Sequence, residues 1–423
     1  MKLTQRDIVH IWHPLTQHQT ARAPVGIVKA SGSVLIDEHG NSYIDGIASW
    51  YTAMFGHCNP YITQAMTKQM QTLDFVMFSG FTHEPAIEFS EKLVAILPPN
   101  QQKVFFNDNG STAVEAAIKM AIQYYHNKSQ KRDTLIAFED GFHGDTFGAM
   151  SASGLSSYNG PFEDFLLKVK RIPTPQAHNL EEVLALLTTI LEQNSCAGFI
   201  FEPLVQGAAG MKFHCAKGLD ALIAKCKAHD VLCIADEIMT GFGKTGTNFA
   251  VEQLQQPPDI MCLSKALTAG MFPLSITSCT KEIFDGFLSH QVHKGFFHAH
   301  TYSAHPVGCA AAIASIVLLT SPEILKKRAY IAGAHSVFAE KIQQHPAVKQ
   351  VRCKGVILAI DLAIEMQRYG NLRDELYQFF MDRGVALRPL GNTLYVLPPY
   401  VITNQELDTI YSAIEEALTH YNN

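Results

Sequence analysis

GLDALIAKCKAHDVLCIADEI, residues 218–238, joins a segment of helical periodicity to a strand of nearly unbroken apolar residues. The same alternation continues on both sides, because AGFIFEPLVQG (197–207) and IMCL (260–263) also have the character of apolar strands. Strands without a polar face are typical of parallel sheets that helices cover on both sides. The pattern therefore predicts an α/β fold with a mostly parallel sheet.

The two ends of the chain have a different pattern. In VLIDEHGNSYID (34–45), apolar and polar residues alternate around a turn, which indicates a hairpin, and the rest of the first 45 residues suggests loops and short strands. After about residue 320, charged helices and short strands replace the long apolar segments. We therefore predict a smaller α+β domain built from both chain ends, residues 1–55 and 319–423, beside a large domain of residues 56–318.

The composition argues against several classes of partner. The chain has 423 residues, of which 47% are hydrophobic and 17% charged, and its formal net charge is −6. This balance does not favour nucleic acid or an anionic membrane, so we expect small-molecule partners. No stretch approaches the roughly 18 unbroken apolar residues of a membrane span. The N-terminus lacks the apolar core of a signal peptide, and the nine cysteines form no C-x-x-C pair, which indicates reduced thiols in a cytoplasmic protein.

The 19 histidines raise the question of a metal site. Their densest cluster is HKGFFHAHTYSAH (293–305), which has no H-E-x-x-H spacing and no nearby pair of carboxylates. We therefore expect no metal.

Lys265 is the one charged residue that follows Asp259 in PPDIMCLSKALTAGMFPLS (257–275). It comes directly after a predicted strand. Burial at such a place would disfavour the charged amine and lower its pKa, and a neutral amine is a nucleophile toward carbonyl groups. Taken alone, the residue is either a Schiff-base lysine or an ordinary solvated lysine at a strand end.

Further polar groups stand where strands end, which is where open parallel sheets bind ligands. Gly110, Ser111 and Thr112 open a predicted helix, so they form either a phosphate site or a plain N-terminal cap. Asp236 ends an apolar strand, where a carboxylate either holds a proton on a heterocyclic nitrogen or caps a turn.

The remaining candidates come from loops. Phe142 and His143 follow a glycine turn and either stack on a flat ring or pack the loop. Thr301 offers a hydroxyl before a helix, and Arg388 is either a carboxylate clamp or a surface residue.

Together these groups meet the requirements of pyridoxal 5'-phosphate. They supply a phosphate cradle, an aromatic face, a lysine, and a carboxylate that keeps the pyridine nitrogen protonated. The lysine would hold the cofactor and then move a proton between carbon atoms. The spacing between Asp236 and Lys265 leaves room for one crossover between neighbouring strands.

The sequence also resembles a known family. DEIMTGFGKTG (236–246) followed by LSKALTAG (263–270) is similar to the signature of the class III aminotransferases of fold type I, and the resemblance covers essentially the whole chain. Other segments resemble the branch that aminates 8-amino-7-oxononanoate to 7,8-diaminononanoate in biotin biosynthesis, with S-adenosylmethionine as amino donor. They are IWHPLT (11–16), GIASWYTAMFGHCNP (46–60), GFHGDTFGAMS (141–151), HAHTYSAHP (298–306) and RPLGNTLYVLPPY (388–400).

The resemblance implies roles for individual residues. Lys265 is the Schiff-base lysine and Asp236 the pyridinium partner, and both are catalytic. A homodimer is implied, with active sites at its interface, because His300 and Thr301 reach the phosphate of the neighbouring subunit's cofactor. The implied cofactor-binding residues are Gly110, Ser111, Thr112, Phe142, His143, Asp236, Lys265, His300 and Thr301. The implied substrate-binding residues are Leu15, Trp50, Tyr51, Phe142, Lys265, Ala299, Arg388 and Tyr395, with Arg388 on the substrate carboxylate.

Three positions depart from the family pattern. Leu15 and Phe142 stand where the well-known members have tyrosine, and Lys244 stands where many have arginine. Each missing hydroxyl removes a hydrogen bond worth about 0.5–1.5 kcal/mol. The donor is therefore less well supported than the acceptor, and lysine or another amine stays open. So do another class III ω-aminotransferase acting on ornithine, 4-aminobutyrate or diamines, an aminomutase, and a non-catalytic binding protein of the same fold.

Overall fold

The computed structural model describes residues 2–156, 159–364, 366, 368 and 370–421. Its helices are α1 (Leu3–His10), α2 (Ala48–Tyr51), α3 (Pro60–Thr72), α4 (Glu84–Val94), α5 (Gly110–Asn127), α6 (Phe147–Ala152), α7 (Leu180–Gln193), α8 (Ala216–Ala228), α9 (Lys281–Asp285), α10 (Pro306–Leu319), α11 (Pro322–Ile342), α12 (Asn371–Met381) and α13 (Asn404–His420). Its strands are β1 (Ile27–Ser31), β2 (Val34–Asp37), β3 (Ser42–Asp45), β4 (Lys103–Asn107), β5 (Thr134–Phe138), β6 (Val169–Ile172), β7 (Cys196–Phe201), β8 (Val205–Gln206), β9 (Lys212–Phe213), β10 (Leu232–Asp236), β11 (Ile260–Leu263), β12 (Ser275–Cys279), β13 (Val348–Lys354), β14 (Ile357–Leu362), β15 (Val385–Ala386) and β16 (Thr393–Val396).

A seven-stranded sheet in the order β4-β12-β11-β10-β7-β5-β6 forms the centre of the molecule. Only β12 runs against the others, since it pairs antiparallel with both β11 and β4. The remaining pairs are parallel. The predicted mostly parallel sheet is therefore confirmed.

Helices cover this sheet on both faces. On one face α8 buries Leu219, Leu222, Ile223 and Cys226, which follow helical spacing and belong to the same cluster as Cys233 of β10. On the other face, α5 presents alanines four residues apart, which let the helix approach the sheet closely. These alanines are Ala113, Ala117 and Ala121, and they share a cluster with Ile234 of β10. Successive residues of β10 thus point to opposite faces, as a strand requires.

The two chain ends meet in a second sheet. Strands β1, β2 and β3 form an antiparallel meander that contains the predicted hairpin, and β15 from the C-terminal part joins it in parallel to β3. A separate antiparallel sheet, β13-β14-β16, lies in the C-terminal part. The domain boundaries at residues 55 and 318 stay a prediction.

One element of the N-terminal part was predicted wrongly. Residues 3–10 form helix α1, whereas the sequence suggested only loops and short strands there. The helix is two turns long and buries none of its residues, so it has no apolar stripe that would indicate a helix. Its start is held instead by Glu38, which accepts hydrogen bonds from the backbone N–H of Leu3 (2.8 Å) and the hydroxyl of Thr4 (3.3 Å).

Within the described ranges, no single helix is long and apolar enough to cross a membrane. Helices α10 and α11 reach that length and composition only as a pair, and they meet at a bend of 67°.

Candidate active site

The carboxyl ends of β10 and β11 bring Asp236 and Lys265 into one region. The strands are parallel neighbours in which Asp236 pairs with Cys262, and the chain leaves β11 through Ser264 into a 3-10 turn at Lys265–Thr268. Lys265 has a φ of 51°, a left-handed conformation that is uncommon outside glycine and that often marks a functional position.

The Lys265 amino group is free of hydrogen-bond partners in the described part of the chain. Its nitrogen lies 5.1 Å from the centre of the Tyr51 ring. Burial lowers the pKa of the Lys265 amine, and the carboxylates of Asp236 and Glu202 act in the opposite direction. The site therefore holds an unengaged amine that loses its proton more readily than a surface lysine does.

Asp236 is a buried carboxylate with fixed partners. It is 3% exposed, its Oδ2 lies 2.7 Å from Nδ1 of His143, and its Oδ1 accepts from the backbone N–H of Ile238 (3.1 Å). His143 is itself buried, and its backbone N–H donates to the Ser153 hydroxyl (2.9 Å). This arrangement fixes the orientation of the carboxylate, as the pyridinium partner of pyridoxal phosphate requires.

The N-terminal turn of α5 has free backbone donors. Asn109 caps the helix by accepting from the Thr112 N–H (3.1 Å), and the Thr112 hydroxyl donates back to the Asn109 carbonyl oxygen (2.8 Å). Thr112 is thus engaged in the cap. The N–H groups of Gly110 and Ser111 have no acceptor among the described residues, which leaves them available to an anion.

A glycine loop packs its backbone against this turn. Gly144 has a φ of 129°, and a Cβ atom there would lie 2.1 Å from the Ser111 hydroxyl oxygen. A Cβ at Gly110 would lie 3.1 Å from Ile238, which follows Asp236 closely in the chain. The cradle, the carboxylate and the free amine therefore fit the phosphate, the ring nitrogen and the aldehyde of pyridoxal 5'-phosphate.

A second group of predicted residues consists of three aromatic rings and a cation. The guanidinium carbon of Arg388 lies 5.0 Å from the Trp50 ring centre, and the Tyr51 and Tyr395 rings are 5.7 Å apart. Burial raises the pKa of Tyr51 to about 12, so its phenol stays neutral. Arg388 makes no hydrogen bond or ion pair with the described residues, so its donors are free for a carboxylate.

Trp50 and Tyr51 belong to α2, which is a left-handed turn. Its four residues have φ values of 46°, 44°, 62° and 68°, and none of them is glycine. Each such residue costs about 1–2 kcal/mol, so the surrounding structure must hold the turn in place. This conformation could not be predicted from the four residues, because left-handed backbone is usually indicated by glycine or asparagine.

Most of the other predicted residues are exposed in the single chain. Leu15 is 55% exposed, and Ala299 and Thr301 are exposed as well. His300 lies with its ring 3.7 Å from the carboxylate of Asp108. The Phe142 ring is 41% exposed, and its backbone N–H donates to Glu202 (3.1 Å). The roles of these residues toward a substrate or a neighbouring subunit stay predictions.

Sequence reasoning missed Glu202. It is 4% exposed, accepts from the N–H groups of Phe142 and Gly207 (3.1 and 2.9 Å), and burial raises its pKa to about 7. The sequence contained an indication of this residue, because Glu202 directly follows the apolar strand in FIFEP, and the same pattern identified Asp236.

Lys244, which the sequence marked only as a departure from the family, is fully buried. Its amine donates to the Gly241 carbonyl oxygen (2.9 Å). Burial and the nearby Lys265 lower its pKa.

No group of three or more His, Cys, Asp or Glu side chains within the described ranges is arranged to hold a metal ion.

Comparison with known proteins gives consistent matches over the whole chain. The family model described as Aminotransferase class-III matches residues 15–418. An adenosylmethionine-8-amino-7-oxononanoate aminotransferase from Synechococcus elongatus is 44% identical over 418 residues, covering 97% of this chain and 98% of that protein. The crystal structure of the enzyme of that name from Methanocaldococcus jannaschii is 32% identical with a TM-score of 0.91, over 98% of both chains. The ω-transaminase from Pseudomonas jessenii, solved in complex with PMP, is 26% identical with a TM-score of 0.92, over 100% of this chain and 99% of that one.

Proposed function

The chain belongs to the class III aminotransferases, and we propose that within this family it aminates 8-amino-7-oxononanoate to 7,8-diaminononanoate in biotin biosynthesis. It is an aminotransferase of fold type I, as predicted, and its cofactor is pyridoxal 5'-phosphate. Relatives that are 32–44% identical over nearly the full length carry the name of this biotin-pathway enzyme, which supports the substrate assignment.

The observation that carries the proposal is the pair of contacts that adjacent residues make: the free guanidinium of Arg388 lies over the Trp50 ring, and the amine of Lys265 lies over the Tyr51 ring. The acceptor is a long aliphatic chain with a carboxylate at one end and a ketone near the other. Arg388 would bind the carboxylate, the rings of Trp50 and Tyr51 would line the aliphatic chain, and the ketone carbon would lie near Lys265.

Pyridoxal phosphate supplies the electron sink that makes the carbon next to nitrogen acidic. Gly110 and Ser111 would bind its phosphate through their backbone N–H groups, and Asp236, held by His143, would keep a proton on its ring nitrogen. Phe142 would cover one face of the ring. In the first half-reaction the amine of Lys265 would take the proton from the donor's amine-bearing carbon and pass it on within the site, and in the second half-reaction it would deliver a proton to C7 of the acceptor. Its lowered pKa favours the neutral form that this transfer needs.

We propose S-adenosylmethionine as the amino donor. The names of the relatives support this choice. The apolar Leu15 and Phe142 offer no hydroxyl to a donor, so the identity of the donor is the point that the experiment below must decide.

We also propose that the enzyme is a cytoplasmic homodimer with active sites at the subunit interface. The cysteines are free thiols, which suits a reducing compartment. Thr301 is exposed, and so are two aromatic residues close to it in the sequence, Phe297 (73%) and Tyr302 (57%). Exposed apolar side chains of this kind are typical of an interface.

The test follows the absorbance of the protein-bound cofactor while candidate donors are added one at a time: S-adenosylmethionine, lysine, ornithine and glutamate. A donor that is used discharges the spectrum of the lysine-bound form, and 8-amino-7-oxononanoate should then restore it. Discharge by S-adenosylmethionine followed by this recovery supports both substrates. Discharge by lysine alone, with the same recovery, keeps the product and changes the donor. Discharge by ornithine or glutamate without recovery would contradict the proposal and indicate a general ω-aminotransferase.

A further inference from the structure

We propose that Asp45 is a positioning residue, which holds the left-handed turn α2 so that Trp50 and Tyr51 both face the cleft between Arg388 and Lys265. The proposal deepens the proposed function and depends on it only for the identity of the acceptor. In that reaction the turn would set the separation between the carboxylate-binding cation and the reacting amine, and therefore the length of acceptor that fits.

Asp45 is the polar anchor of the turn. It is 1% exposed at the end of β3, and one of its oxygens, Oδ2, accepts from the Ser49 hydroxyl (2.7 Å) and lies 2.8 Å from Nε2 of His57. Its other oxygen accepts from the backbone N–H of Ile47 (3.3 Å). These contacts reach the chain before the turn, inside it and after it, so a single side chain constrains its backbone on both sides.

The left-handed conformation allows two adjacent side chains to point to the same side. In an extended strand, adjacent side chains point to opposite sides, so Trp50 and Tyr51 could not both face one cleft. In the turn, Trp50 contacts Arg388 and Tyr51 contacts Lys265, although the two residues are adjacent in the chain. Because this backbone is unfavourable for residues other than glycine, it needs an anchor such as Asp45.

The turn is wedged between the two segments that carry the cations. On the Arg388 side, Gly46 donates its N–H to the Ala386 carbonyl oxygen (3.2 Å), and a Cβ at Gly46 would lie 2.5 Å from the Leu387 side chain. On the Lys265 side, Thr52 packs against Gly270, where a Cβ would lie 2.9 Å from the Thr52 hydroxyl oxygen. A shift of the turn would therefore change the spacing between Arg388 and Lys265.

The chain offers a spectroscopic reporter of this geometry, because it contains only two tryptophans. Trp12 is 88% exposed on the N-terminal segment, so Trp12→Phe leaves Trp50 as the sole tryptophan, which can be excited selectively over the tyrosines. In this background we expect Asp45→Asn to raise the acrylamide quenching constant of Trp50 in the holoenzyme about twofold. The KM for 8-amino-7-oxononanoate should rise about tenfold while kcat changes less than about threefold, because the change affects acceptor binding rather than the reacting groups.

Asp37→Asn is the matched control. Asp37 ends the neighbouring strand β2, is 4% exposed, and accepts hydrogen bonds from His39, Asn41 and Tyr43, but it has no contact with α2. Its substitution should affect the fold comparably and leave Trp50 quenching and the KM unchanged. Ser49→Ala removes one hydrogen bond to Asp45 and leaves the buried carboxylate in place. If Asp45→Asn does not fold, this variant therefore still tests whether Asp45 holds the turn. It should shift both quantities in the same direction by a smaller factor.

Unchanged quenching and KM in both Asp45→Asn and Ser49→Ala would overturn the proposal, as would equal changes in Asp37→Asn. If the wild-type enzyme does not aminate 8-amino-7-oxononanoate at all, the proposed function fails. The quenching of Trp50 then still decides whether Asp45 holds the turn.

Discussion

Lys265 combines an unengaged amine, a left-handed backbone and a half-buried position at the end of β11. We expect Lys265→Ala to reduce turnover by at least about 10⁴-fold, because the variant has no group to move the proton between carbon atoms. Lys265→Arg is the informative partner variant, since it keeps a cation of similar reach whose pKa is too high for proton transfer. Turnover and the absorbance of the bound cofactor are measured on both variants. Turnover within about tenfold of wild type in either variant would contradict the role of Lys265.

Glu237 gives a second prediction for a single residue. It is fully buried, and burial raises its pKa to about 7, above the ordinary value of about 4.3. The folded chain therefore keeps this proton at pH values where the unfolded chain has lost it. The free energy of unfolding consequently falls as the pH rises from about 4 to 7 and stays lower above that range. Glu237→Gln has no proton to lose at this position, so between about pH 4 and 7 its free energy of unfolding should fall by about 1–3 kcal/mol less than that of wild type.

The measurement is urea unfolding at both ends of this pH range, for wild type, Glu237→Gln and the exposed control Glu340→Gln. The control should follow wild type. A Glu237→Gln profile parallel to wild type would show that the buried carboxyl does not couple stability to pH.

At the level of secondary structure, the loop between β5 and α6 and the start of α6 pack their backbone on the first two turns of α5. Glu115 of α5 accepts from the N–H groups of Gly148 and Ala149 (2.7 and 3.1 Å), and Gly144 leaves no room for a Cβ beside Ser111. We expect Gly144→Ala to displace Ser111 and weaken binding of pyridoxal phosphate about tenfold or more, because the added methyl group enters the predicted phosphate cradle. Titration of the apoenzyme with the cofactor gives the dissociation constant.

Gly333→Ala in α11 is the control, since a Cβ there meets no atom within 4 Å. It should leave cofactor affinity unchanged and raise stability by up to about 1 kcal/mol. Equal cofactor affinities for Gly144→Ala and wild type would contradict the cradle.

The elements that could be predicted are those indicated by the pattern of neighbouring residues, whereas features that depend on residues distant in the chain could not be predicted. The apolar strands β7, β10 and β11 and helix α8 carry their pattern within a few residues, so the parallel sheet could be read from the sequence. Asp236 and Lys265 could be brought together because the carboxyl ends of parallel strands share one edge. Helix α1 has no buried face to indicate it, and the handedness of α2 depends on Asp45 and on packing against distant segments. The contact between Trp50 and Arg388 likewise joins residues far apart in the chain, and no local pattern encodes it.

At the scale of the whole molecule, the open question is which chain supplies Thr301 to a given site. Within one chain, His300 lies beside Asp108, just before the α5 cradle, while Thr301 is exposed. The proposed dimer would instead place Thr301 at the phosphate of the neighbouring subunit's cofactor. To distinguish the two arrangements, a variant is needed that abolishes the function of Thr301. Thr301→Glu should abolish it, since its carboxylate would repel the phosphate.

We expect Thr301→Glu and Lys265→Ala to be inactive as separate preparations and to complement each other as a mixed dimer. The two chains are co-expressed with different affinity tags, and successive purification on both tags yields only mixed dimers. If Thr301 acts across the interface, one site of the mixed dimer carries both defects and the other carries none, so turnover per dimer should recover to about half of wild type. If Thr301 acts within its own chain, each site keeps one defect and the mixed dimer stays inactive. A preparation in which both chains carry Lys265→Ala excludes recovery by contaminating wild type, and recovery of a monomer on sizing would contradict the interface itself.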